Sequence, residues 1–308
     1  MKQAGWGFSS GTFGELVQGV IDETPFLVTI PIRWGTRAKF IPGENQDVVV
    51  YPRHRKKAQI AATLACRALK KPGGTLSISS VIPIGKGMAS SSADIVASIR
   101  AVAAAYGRTL LPSMIARIAA QIEPSDGVMY PQMVAFEPVK GILLEKWPRA
   151  PHAVIVGLIG HGRVNTALHH QSRKPYSPAQ QTRLAQALRM AREAAYAHDV
   201  GGLGKAGLIS AEVQWERNPH DQILAQVIEQ AHQQGWGVVT AHSGTARGYL
   251  FAPHDFRSGA IAQAERFLRS LHNGPVFRFW TLTRSMATQG QFSVALEDSQ
   301  GQEDRHEA

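Results

Sequence analysis

"VIPIGKGMASSSADI", residues 81–95, is the stretch whose reading decides the fold of this chain. It follows "TLSISSVIPI" (75–84), rich in β-branched residues, and opens the alanine-rich "SSADIVASIRAVAAAYG", so a strand-to-helix turn is expected. Backbone N–H groups at a helix start, together with the positive end of the helix dipole, attract phosphate. Gly85 and Gly87 allow the backbone to curl around an anion. The hydroxyls of Ser90, Ser91 and Ser92 can cap the helix, donate to phosphate or ligate Mg²⁺. A plain capped helix after a tight turn needs one such serine; a run of them behind two glycines asks for an anion.

Two familiar phosphate fingerprints fail on spacing. The P-loop needs G-x-x-x-x-G-K-[ST], whereas Lys86 lies between the glycines and is followed by Gly87. The dinucleotide pattern G-x-G-x-x-G fits Gly85 and Gly87 and then meets Ser90, and a second helix follows where a strand is required.

Around this turn the pattern alternates strands and helices. "ELVQGVI", "PFLVTIPIRWGTRAKFI" and "DVVVYP" read as strands, residues 56–71 and 112–122 as helices, and "MVAFEPVKGILLE" as a hairpin. Beyond "KWPRAPH" (146–152) come a strand, a long helix from about Ser177 to His198, and two more helices. A strand–loop–strand, "WGVVTAHSGTARGYLFAP", a helix near 255–272 and a last strand, "VFRFWTLTR", complete the series. The chain of 308 residues is long for one core, so two domains are expected, 1–150 and 151–308. The polar tail "LEDSQGQEDRHEA" is expected to fray.

Composition narrows the class. With 44% apolar and 18% charged residues the chain reads as globular. No apolar run suits a membrane span, and "MKQAGWGFSSGTFGE" has no signal-peptide core, so a cytoplasmic protein is expected. The single cysteine, Cys66, excludes a disulfide framework. A net charge of +10 favours an anionic partner. The densest basic run, Arg53–Lys57, reads as a solvated helix face rather than a nucleic-acid patch, because no zinc-finger, RNA-recognition or interleaved aromatic pattern accompanies it. His169 and His170 adjoin without metal-ligand spacing, and no G-x-S-x-G elbow supports a serine hydrolase.

"PIGKGMASSSA" resembles the P-x-x-x-G-[LM]-x-S-S-[AS]-A phosphate loop of the GHMP kinases, the superfamily of galactokinase, homoserine kinase and mevalonate kinase. "SSGTFGELVQG" (9–19) and "VVTAHSGTARGYLF" (238–251) resemble that superfamily's N-terminal and C-terminal motifs, in the expected order. "FGELVQG", "GKGMASSSAD", "EPSDG" and "AHSGTARG" are, within it, most similar to the L-threonine kinases of cobalamin biosynthesis. The chain departs from that group's usual cysteine at Phe13, from its serine or threonine at Gly127, and from an aspartate at Asn165.

The resemblance implies an α+β fold: an N-terminal domain like domain 2 of ribosomal protein S5, then a ferredoxin-like domain. It implies ATP and Mg²⁺ as cofactors and a small alcohol as acceptor: L-threonine, with homoserine the nearest alternative. Gly85, Lys86, Gly87, Met88, Ala89 and Ser90 to Ser92 would hold the ATP phosphates, although Lys86 could equally point into solvent. Ser91 and Glu123 would hold Mg²⁺, and Asp126 would act as base on the acceptor hydroxyl. Read alone, Asp126 is also a favoured turn residue before glycine. Glu15 would meet substrate or orient the loop, or be an exposed strand-edge carboxylate; Ser243, Gly244 and Thr245 offer donors to substrate or phosphate. Asp94 is expected to buttress its helix. A non-catalytic nucleotide or nucleic-acid binder with the same fold is the alternative from another class.

Overall fold

In the computed structural model of the chain the described residues are 3–161, 175–271 and 274–283. Asn165, His169, His170 and the polar C-terminal tail lie outside them.

The first sheet has the order β1 (Gly5–Thr12), β4 (Pro31–Pro42), β6 (Gly74–Ser80), β5 (Val48–Tyr51). β5 and β6 are parallel and are joined by α1 (Lys56–Leu69), whose buried Ala58, Ala61, Ala62, Ala65 and Cys66 follow helical spacing. Lys70 then turns left-handed before "PGG" and ends the helix. Helix α2 (Ser90–Ala105) lies on β1 and β4 and is buried along most of its length. It can lie that close because β1 lacks side chains beneath it: a Cβ on Gly7 would stand 2.0 Å from the Ala97 carbonyl oxygen.

β2 (Gln18–Ile21), β3 (Thr24–Thr29), β7 (Val134–Glu137) and β8 (Ile142–Lys146) form a second, antiparallel sheet, with α3 (Pro112–Ala120) nearby. After β9 (Val154–Ile159) come α4 (Pro178–Ala197), α5 (Val200–Arg217) and α6 (Gln222–Gln234). Then follow β10 (Gly237–Thr240), β11 (Ala246–Phe251), α7 (Ala260–Leu271) and β12 (Val276–Trp280). These four strands are antiparallel in the order β10, β11, β9, β12. A β-α-β-β-α-β chain with the fourth strand beside the first is the ferredoxin-like arrangement, here with extra helices before β10. The architecture is α+β.

The third sheet is stitched to the others. Ile32 bridges Thr281, the Leu282 N–H donates to the Pro31 carbonyl at 2.8 Å, and Glu15 bridges Thr240. Phe13 fills the junction: it is 1% exposed, its ring lies 4.9 Å from that of Phe279, and it covers Gly157, where a Cβ would be 2.1 Å from the ring. Phe13 is therefore a core residue that packs the two halves together.

Three elements differ from expectation. β1 escaped notice because "GWGFSSGT" is rich in glycine and serine, poor strand formers; pairing with β4 on one side and α2 above it supply what propensity lacks. The run 25–41 divides at Ile30 into β3 and β4, which belong to different sheets. The last helix starts at Ala260 rather than 255, since Gly259 at φ +76° separates it from a 3₁₀ turn at Pro253–Phe256.

Candidate active site

A cleft of about 630 Å³ opens between the N-termini of α1 and α2, the 85–89 loop, the Glu123–Asp126 turn and Ser243. The loop descends from β6 with left-handed backbone at Gly85 (φ +72°), Gly87 (φ +77°) and Ala89 (φ +58°). Gly87 is required for space as well as conformation: a Cβ there would lie 2.4 Å from that of Ala241. Ala89, not a serine, is the N-cap of α2, and no side chain caps the helix. The first-turn N–H groups are thus left for an anion, and Gly85, Gly87, Met88, Ala89, Ser90, Ser91 and Ser92 all border the cleft.

The serines instead reach carboxylates. Ser91 Oγ donates to Glu123 Oε1, whose Oε2 pairs with Lys57 Nζ. Ser92 Oγ donates to Asp126 Oδ2 at 2.8 Å and accepts the Asp126 N–H at 3.1 Å, which fixes Asp126 at the start of α2. Burial first, and then the neighbouring Glu15 carboxylate, push the Asp126 carboxyl up to about 8, against the opposing hydrogen bond from Ser92. Glu15 is 4% exposed and hydrogen-bonds Asp126, so it is a buried partner of that carboxyl and not an exposed strand edge. Asp94, in the first turns of α2, borders the cleft but is held by Arg55 at 2.5 Å and Thr36 at 2.8 Å, and burial raises its pKa.

Other expected site residues are placed differently. Lys86 does not line the cleft, and it does not point into solvent either. Its ammonium donates to the Gly160 carbonyl at 2.6 Å, and its own carbonyl accepts the N–H groups of Thr245 and Ala246. Of the 243–245 loop, Ser243 borders the cleft. Gly244 sits against the 85–89 loop, where a Cβ would be 2.2 Å from the Lys86 carbonyl oxygen, and Thr245 Oγ1 donates to Gly160 at 3.1 Å. These two clamp the loop rather than face a ligand. Gly127 has no room for a side chain, since a Cβ would lie 2.4 Å from Val134 Cγ2.

Sequence reading missed the basic flank. His54, Arg55, Lys56 and Lys57 border the cleft, and the run assigned to a solvated face carries its exposed cations along the rim. A signal was present: lysines in the first turn of a helix oppose its dipole, a cost that calls for a local anion. Gln18 also borders the cleft.

The Ser91 hydroxyl and the Glu123 carboxylate are hard oxygen donors in mutual contact, a set that suits Mg²⁺, which keeps water and phosphate oxygens in its other positions. Among the described residues no group of three or more His, Cys, Asp or Glu could form an all-protein metal cage, and no helix is long and apolar enough to cross a membrane.

Residues 56–131 match the family model of the GHMP kinases N terminal domain. The L-threonine kinase of Citrobacter freundii is 27% identical over 244 residues, 77% of this chain and 83% of that protein. The solved homoserine kinase of Cytophaga hutchinsonii superposes with a TM-score of 0.68 at 16% identity, covering 91% of this chain and 95% of that one. A complex of MDDEF with MVAPP, AMPPCP and magnesium superposes at 0.63 with 14% identity, over 91% and 97% of the two chains. The fold is that of the GHMP kinases.

Proposed function

With a GHMP kinase fold and N-terminal domain as the premise, we propose that this chain transfers the γ-phosphoryl group of ATP to the side-chain hydroxyl of L-threonine. The products are ADP and O-phospho-L-threonine, which would feed the aminopropanol arm of cobalamin synthesis. One observation carries the reading: an uncapped, glycine-led helix start shares a single cleft with Asp126, Glu15 and Glu123. Similarity to the Citrobacter enzyme supports threonine as the acceptor.

In this reading residues 1–150 bind the nucleotide and 151–308 close the cleft through Ser243. Phosphoryl transfer passes through a loose transition state, so the protein's task is to position two reactants and neutralise charge. The N–H groups of the 85–92 segment hold the phosphates, and the rim cations of α1 add long-range attraction. Ser91 and Glu123 would hold Mg²⁺, which when bound would offset charge on the phosphate oxygens. Lys57, paired with Glu123 at the rim, would add positive charge beside the phosphates. Ser92 aims Asp126 at the acceptor hydroxyl, whose proton Asp126 accepts late in the transfer. Because Asp126 holds its own proton up to about pH 8, kcat/KM rises through that range until the carboxylate is free.

ADP release with Mg-ATP against threonine, serine, homoserine and simple alcohols tests the assignment. Turnover dependent on threonine is expected. Turnover restricted to homoserine would replace the acceptor, and ATP binding without turnover on any alcohol would return the chain to the class of nucleotide binders.

A further inference from the structure

Two residues outside the cleft complete the surroundings of the Glu15–Asp126 pair. His242, 6% exposed, gives its main-chain N–H to Glu15 Oε2 at 3.2 Å and places Nδ1 3.5 Å from the same oxygen. Its Nε2 lies 2.9 Å from Ser210 Oγ on α5, and that hydroxyl also accepts the Gln18 N–H at 3.2 Å. A serine hydroxyl has one proton and two lone pairs. With a lone pair given to Gln18, its proton can go to Nε2, and an imidazole that accepts at Nε2 carries its own proton on Nδ1. That is the nitrogen facing Glu15. At 3.5 Å it acts as an oriented dipole on the carboxylate rather than as a short hydrogen bond.

Charged and polar groups face the pair from several elements. Ser92 on α2 donates to Asp126, and Glu123 on the turn after α3 repels it. Arg55 and Lys57 on α1 are engaged by Asp94 and Glu123. The loop after β10 contributes His242, whose main chain and ring both address Glu15. We propose that Ser210 and His242 form a positioning relay in which Ser210 sets the His242 tautomer. The Nδ1 proton then holds the negative charge of the pair on Glu15 and leaves the shared proton on Asp126, the group that must release it for phosphoryl transfer. Its role in turnover rests on the kinase reading; its primary readouts do not.

The test uses the full chain. With ¹⁵N-labelled histidine, long-range nitrogen–proton correlation is expected to show His242 protonated at Nδ1; an Nε2–H tautomer overturns the relay. Carboxyl ¹³C titration is expected to show Glu15 ionised and Asp126 protonated through neutrality, as separate steps. In His242→Leu the proton becomes shared, so both carboxyl signals move in both steps. His242→Asn, whose amide nitrogen reaches the Nδ1 position, restores the separation. Titration curves in His242→Leu that match wild type overturn the proposal. If that variant does not fold, Ser210→Ala is expected to mix the tautomers, and an unmixed tautomer there is equally fatal. Under turnover, the acid limb of kcat/KM becomes shallower and reaches to lower pH in His242→Leu, because a proton shared with Glu15 leaves part of Asp126 as the free carboxylate below the second step. A uniform fall in kcat with an unmoved limb marks a merely structural role and rejects the relay. Shifted carboxyl titrations in a protein with no kinase activity leave the relay standing and remove the kinase reading instead.

Discussion

Asp126→Asn separates the ionisation of Asp126 from its placement. Asparagine copies the protonated acid: its carbonyl still accepts from Ser92 Oγ, and its amide N–H donates to Glu15 as the carboxyl proton does. Folding raises the carboxyl from the ordinary 3.8 to about 8. Between those values the native state therefore binds more protons than the unfolded chain, so Asp126 costs stability as pH rises. Each pH unit in this window is worth up to about 1.4 kcal/mol. Relative to Asp126→Asn, wild type should thus lose about 3 kcal/mol between pH 5 and 7.5, with the difference flat above pH 9. Urea unfolding of both proteins at half-unit steps from pH 5 to 9.5 measures it. Parallel stability curves would refute the argument, because an Asp126 that titrates normally would leave no pH-dependent difference above pH 5. The same variant should lose most of kcat while binding ATP normally; wild-type turnover would remove Asp126 as the base.

Ser91→Ala removes a hydroxyl that touches Glu123, and the Mg²⁺ concentration for half-maximal turnover should rise several-fold; an unchanged Mg²⁺ dependence removes Ser91 from the metal site. Gly87→Ala meets both a left-handed backbone and the Ala241 methyl, so it should destabilise the chain by roughly 1–3 kcal/mol and weaken ATP binding at least tenfold. Thermal unfolding and nucleotide titration read both effects, and wild-type values in each would show that the loop does not need the conformation described.

What could be read from residues alone was local. The strand–turn–helix at 75–105, the helices at 56 and 112, the 133–146 hairpin and the strand–loop–strand at 237–251 are set by periodicity and turn chemistry within short windows. The glycine–serine cradle falls in the same class, as do Asp126 and Glu123 on a turn behind a helix. Residues with two readings needed long-range contacts. Lys86 had the right charge in the right loop, and the carbonyl of Gly160, far along the chain, took its ammonium. Thr245 and Gly244 carried donor chemistry and became a clamp because the third sheet presses them onto Lys86. Glu15 changed from an edge carboxylate to the buried neighbour that raises Asp126, once the Glu15–Thr240 bridge closed over it. The α1 cations became a cleft rim only when α1 and α2 brought their N-termini together. Sequence by itself determined the element types and the glycine–serine turn, since those depend on neighbours in the chain. Tertiary structure decided which side chains face the cleft and that the Asp126 carboxyl is raised, since desolvation and through-space charge depend on residues far apart in the chain.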